Sequence, residues 1–92
     1  MSDQLRDQVF DPALWKSLAQ ELKVSPYAME FIRLTCMGLR PHKVARLVHR
    51  NYRTVEAHRC QVSTKVGASG GLELVSQMLL RAFGKYLERR GL

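Results

Sequence analysis

From Asn51 to Gly67 the chain reads N-Y-R-T-V-E-A-H-R-C-Q-V-S-T-K-V-G. Wound as a helix at about 100° per residue, this stretch has two faces. Arg53, Ala57, Cys60, Gln61 and Thr64 share one, with Glu56 at its edge. These side chains are short or hydrogen-bonding and nearly free of bulk. A helix pressed against base-pair edges needs such a face, because long apolar side chains would hold its backbone out of the groove. Arg50, Arg53, Arg59 and Lys65 lie at the ends and flanks, where they can reach phosphates on either side of a groove. Val55, Val62 and Val66 form the opposite face, small and β-branched, suited to packing on another helix. An ordinary surface helix with a solvated polar face is the competing reading.

Other chemistry finds little support. The two cysteines, Cys36 and Cys60, and the three histidines, His42, His49 and His58, make no C-x-x-C or H-x-x-x-H pair, so neither a metal nor another cofactor is expected. No paired carboxylates stand at a useful spacing, and no glycine-rich phosphate loop follows a strand. Glu56 and His58, two apart on a helix, point to different faces. The chain is therefore not expected to be an enzyme. Two cysteines do not make a disulfide framework, and a cytoplasmic location is the simpler expectation.

Charge placement narrows the partners. Residues 1–30 carry three bases and five acids, residues 31–70 eight bases and one acid, and residues 71–92 four bases and two acids. The overall charge of +7 is thus concentrated around the central stretch. A positive field of this kind attracts polyanions, nucleic acid first. The basic segments lack the Trp/Phe/Leu face of an interfacial helix, and no run of about eighteen apolar residues exists, so no membrane partner is expected. The N-terminus shows no secretory signal.

The elements that must position the central helix follow from caps and apolar spacing. Ninety-two residues suffice for one small domain. Residues 1–9 read as frayed. Asp11-Pro12 starts a helix to about residue 22, with Trp15 as a core anchor beside Leu14, Leu18 and Leu22. Ser25-Pro26 starts the next, with Ala28, Phe31, Ile32 and Met37 as its stripe and Gly38 at its end. Glu30 is its one acid, a surface charge or the partner of a nearby arginine; Cys36 reads as a small core residue. Pro41 opens a short helix with Val44, Ala45 and Val48 inward. A turn at His49–Asn51 follows, and Asn51 caps the central helix. A short helix, a tight turn and a longer helix make a helix-turn-helix pattern. After the break at Ala68–Gly71 a last helix runs from about Leu72 to Leu87. Leu72, Val75, Leu79, Phe83 and Tyr86 form one stripe, while Leu74, Met78, Leu80 and Leu87 lie outside it. That apolar surface is wider than one small core can cover. Either another chain contacts it or the first helix folds back over it.

The segments V-S-P-Y-A-M-E-F-I-R-L, M-G-L-R-P-H-K-V-A-R-L-V, R-T-V-E-A-H-R-C-Q-V-S-T-K-V-G and G-L-E-L-V resemble the LuxR-type DNA-binding domain, with T-V-E-A-H-R closest to its FixJ-like branch. The resemblance covers about residues 24–78 and is most specific over Thr54–Gly67. It implies an all-α fold: a four-helix LuxR-type helix-turn-helix domain at 24–92, preceded by an extension at 1–23 with one additional helix. It implies that Glu56, Ala57, Cys60 and Gln61 face bases, and that Thr54, His58, Arg59 and Lys65 hold phosphates or brace the helix. Arg50, Arg53 and Lys43 join the phosphate-contacting set on charge and position. The last helix is implied to make the dimer contact, assigned here to Leu74, Val75 and Met78. Glu30 matches an acidic position with a structural role in the family. The chain departs from the family pattern at Arg40, where Ser or Thr is usual; at His49, where Gly is usual; and at Arg50, where an aliphatic residue is usual. Histidine tolerates positive φ better than most residues, so His49 can still make the turn, while Arg50 must point outward. Family members usually carry a receiver or autoinducer-binding domain, for which this chain has no room.

Two functions are compatible with these features. One is a small transcription regulator that binds double-stranded DNA as a homodimer, with the helix at about 52–66 in the major groove. The other is an adaptor that binds another regulator, a protein partner, through its last helix. The basic patch, which an adaptor does not need, favours the first.

Overall fold

The computed structural model describes residues 3–91, and these are all-α: among them there is no strand. Six helices follow in order, α1 (Asp3–Val9), α2 (Pro12–Leu22), α3 (Pro26–Cys36), α4 (Pro41–Leu47), α5 (Tyr52–Val66) and α6 (Gly71–Arg89). None is long and apolar enough to cross a membrane.

Local chemistry sets most of these boundaries. Asp11, Ser25 and Asn51 each accept a hydrogen bond from the first turn of the helix they precede, and Pro12, Pro26 and Pro41 occupy first-turn positions. Arg40, at the N-cap of α4, makes no capping bond, so the proline starts that helix without one. Gly70 likewise offers no side chain to α6. Instead Glu73 reaches back to the hydroxyl of Ser69 at 2.6 Å and its backbone N–H at 3.3 Å. Those bonds, the hydroxyl's first, hold the Glu73 carboxyl below its ordinary pKa.

Four helices end in the same way. After α2, α3, α4 and α5 a residue with positive φ turns the chain: Lys23 at 57°, Gly38 at 98°, His49 at 55° and Gly67 at 71°. Each is followed by a paired closure in which a backbone N–H returns to the carbonyl five residues earlier. Val24 reaches Ala19, Leu39 reaches Leu34, Arg50 reaches Ala45 and Ala68 reaches Ser63.

The N-terminal segment does not fray over Asp3–Val9; it is a helix, and α1 and α2 together precede Val24. The frayed reading failed because the helix is held by tertiary contacts rather than by its own sequence. Val9 is 1% exposed, and its carbonyl accepts the indole N–H of Trp15 at 2.9 Å. Trp15 is the anchor its spacing implied, stacked on Phe10 at 6.0 Å. One apolar cluster unites Val9, Leu14, Trp15 and Leu18 with Met29, Ile32, Val62, Leu74 and Met78. The segments on either side of residue 23 therefore share a core.

A second, smaller cluster, Phe31, Val44, Ala45 and Val55, fixes α4 against α3 and α5. Arg33 of α3 ties the junction between α1 and α2 to α3. Its guanidinium binds both oxygens of Glu30, at 3.0 and 2.6 Å, and donates to the Phe10 carbonyl at 3.0 Å. Glu30 thus has the arginine partner its position allowed.

In α6 the buried face is Leu74, Met78 and Ala82, each 0% exposed. It is not the stripe through Leu72, Val75 and Phe83. The assignment of Leu74 and Met78 to a dimer contact is therefore corrected: their side chains are enclosed within the chain's own core, and of the three only Val75 keeps partial exposure.

Candidate nucleic-acid interface

The turn from α4 to α5 depends on His49. At φ 55° it takes the left-handed conformation in which glycine is the easy choice and histidine is tolerated. This lets the His49 N–H return to Arg46 and the Arg50 N–H to Ala45, closing α4 in three residues. Arg50 then has no place inside. It is exposed, with its guanidinium 5.9 Å from the centre of the Tyr27 ring. Asn51 starts α5 by accepting the Arg53 N–H at 2.8 Å.

The faces of α5 are set by burial. Val55 and Val62 are enclosed and Val66 partly so, which directs Arg53, Ala57, Cys60, Gln61 and Thr64 to the surface. Ala57, Cys60 and Gln61 therefore stand together, exposed, on one side of the helix. The Thr64 hydroxyl donates to the Cys60 carbonyl at 3.0 Å. Arg50, Arg53, Thr54 and Lys65 are exposed along α5 and its approach, and Lys43 is exposed on α4.

Three proposed site residues have other partners. Glu56 is half-buried and gripped by Arg59, whose Nε donates to both carboxylate oxygens at 3.2 Å and whose Nη2 donates to one at 2.9 Å. That hydrogen bond raises the Arg59 pKa, so the guanidinium stays charged. Glu56 and Arg59, expected to make separate base and phosphate contacts, are paired with each other in the structure. His58 turns towards the interior, its ring edge-on to Phe31 at 5.3 Å. It braces α5 against α3 rather than reaching outward.

Other side chains join this surface. Arg40 and Arg46 are exposed on or beside α4 and extend the basic rim. His42 stacks on Tyr52 at 4.3 Å and 15°, linking the start of α4 to the start of α5. Tyr27 is 65% exposed beside Arg50. The charge run at residues 40–53 signals the arginines; nothing in the local sequence signals the two ring contacts, which join separate helices.

Cys60 is exposed and Cys36 half-buried, both as free thiols. Burial pushes the Cys36 thiol up to about 12. Among the described residues, no three His, Cys, Asp or Glu side chains are grouped so as to hold a metal ion. The arrangement can present a shallow, uncharged and hydrogen-bonding strip flanked by exposed cations. No family model matches the chain, and comparison with curated proteins and with solved structures likewise returns no match.

Proposed function

We propose that the chain is a small transcription regulator of the LuxR type that binds duplex DNA as a dimer, with α5 in the major groove. One observation carries the reading: the exposed strip Ala57–Cys60–Gln61 lies on a helix whose approach and flanks present Lys43, Arg50, Arg53 and Lys65, all exposed. Gln61 would read a base edge, since glutamine can bond adenine at two points. The cations would supply most of the affinity by displacing counterions from the phosphates. The Glu56–Arg59 pair would enter the groove neutral, or open as Arg59 takes a phosphate.

The test is fluorescence anisotropy of the chain with random duplex DNA across a salt series. Binding should fall steeply as salt rises, and Arg53→Ala or Lys65→Ala should each lower the log–log slope by about 0.9. Gln61→Ala should alter sequence preference; equal loss on preferred and random DNA would remove Gln61 from the reading role. No binding at low salt would refute the proposal.

A second reading, an adaptor that binds another regulator through α6, is favoured by one observation. Leu72 and Leu80 are 84% and 74% exposed on that helix. It does not use the basic surface.

A further inference from the structure

Helices α2 and α3 pack on each other, and each begins with a proline, Pro12 and Pro26. Near these two starts lies an open cleft of about 290 Å³. Trp15 and Met29, each 1% exposed, make its floor. The exposed rings of Pro12, Pro26 and Tyr27 make its walls, and Lys16 and Glu30 complete the lining. Part of this lining comes from the N-terminal extension and part from the helix after it, so the cleft exists only where α2 meets α3.

Bonding within the chain leaves one charge free there. Asp11 and Ser25 already accept from the first-turn N–H groups of Ala13, Tyr27 and Ala28, and the prolines have no N–H to offer. The Trp15 indole N–H is taken by the Val9 carbonyl. Both oxygens of Glu30 are held by Arg33. Lys16 is exposed and, among the described residues, has no hydrogen-bond or ion-pair partner.

We propose that this cleft binds a small aromatic carboxylate, its ring against Tyr27 and the prolines over Trp15, its carboxylate on the Lys16 ammonium. An apolar floor favours burial of a ring, and the flat faces of tyrosine and proline suit it. The unpaired ammonium beside that floor selects an anion over a neutral ligand of the same shape. The volume lies at the small end of the roughly 300–1,000 Å³ of ligand sites, which fits one ring with a short acidic arm. A ligand of that size binds weakly, on the order of 0.1–1 mM. Arg50 lies 5.9 Å from the centre of the Tyr27 ring and steadies that wall. The inference does not rest on the DNA reading, and it is tested without DNA.

The probe is phenylacetate, with phenylacetamide as its uncharged match. Trp15 is the chain's one tryptophan, so its fluorescence reports on the floor of the cleft. Phenylacetate should change that fluorescence saturably, and the amide should bind about three- to tenfold more weakly. Lys16→Gln should weaken the acid by the same factor and leave the amide unchanged, while Tyr27→Ala should weaken both. In nitrogen–proton correlation spectra the acid should move the backbone amides of Ala13–Lys16 and Tyr27–Glu30. Four results each overturn the proposal: no saturable change, equal affinity for acid and amide, an acid affinity indifferent to Lys16→Gln, or shifts confined to the basic face of α4 and α5.

Discussion

Replacing Arg33 by methionine tests whether α1 and α2 are built into the domain. The Arg33 side chain is 13% exposed, and it holds the Glu30 carboxylate and the Phe10 carbonyl together. Methionine keeps most of the aliphatic packing and removes both interactions. A hydrogen bond from a charged donor contributes about 1.5–3 kcal/mol. The Glu30 side chain is 38% exposed, so water relieves much of its loss, and that pair adds only about 0.5–1 kcal/mol. Arg33→Met should therefore cost about 2–3 kcal/mol. For a domain of this size that lowers the melting temperature by roughly 8–24 °C. Urea unfolding followed by Trp15 fluorescence and by circular dichroism measures it. Glu30→Gln keeps the bond to Phe10 and should lose no more than about 1 kcal/mol. A loss below about 0.5 kcal/mol for Arg33→Met, within the range of an ordinary surface substitution, would refute the tie. So would an equal loss for the two variants, since the bond to Phe10 would then contribute nothing.

Four further outcomes follow from the geometry. His49→Gly should be neutral or stabilise by up to about 1 kcal/mol, while His49→Val should destabilise by about 1–2 kcal/mol, because a β-branched side chain resists positive φ; thermal melts distinguish them. Asn51→Ala removes the cap of α5 and should cost about 0.5–2 kcal/mol, seen as a lower urea midpoint. Cys36 gives an alkaline signature. Its folded pKa is raised from 9.0 to about 12, so its contribution to stability is intact below pH 9 and is lost as pH rises towards 12. The wild type should therefore lose stability above pH 9 faster than Cys36→Ala; parallel curves would refute this. In the folded chain a thiol reagent should modify Cys60 well before Cys36.

The sequence was most legible where structure is local. Asn51 and Gly67 bracket α5 because a cap and a positive-φ stop act on their own neighbours, and the valine face followed from helical spacing alone. It was least legible where two helices must meet. Periodicity in α6 offers two apolar stripes, and the buried one includes Ala82, a small residue that gives little apolar signal. Helix α1 is short and polar; Trp15 and the core around Val9 hold it. Glu56 and Arg59 sit three apart, the spacing of a helical ion pair, yet reading each for its outward role hid their attraction to each other. The Arg33 bond to Phe10 spans twenty-three residues and leaves no mark in either segment.

The division of the core into two clusters has a consequence for motion along a single helix. Val62 belongs to the large cluster, while Val55 rests on the small one with α4. The two ends of α5 are therefore held by groups of unequal size. Opening the small cluster releases α4 and the first turns of α5 without disturbing Trp15 or Leu74. Amide hydrogen exchange should show this as a gradient, with protection highest around Val62 and falling towards Tyr52, and with α4 exchanging through the same partial opening. The half of α5 that carries Arg53, Ala57 and the turn behind it is then the part of the domain most able to adjust its angle while the rest stays folded.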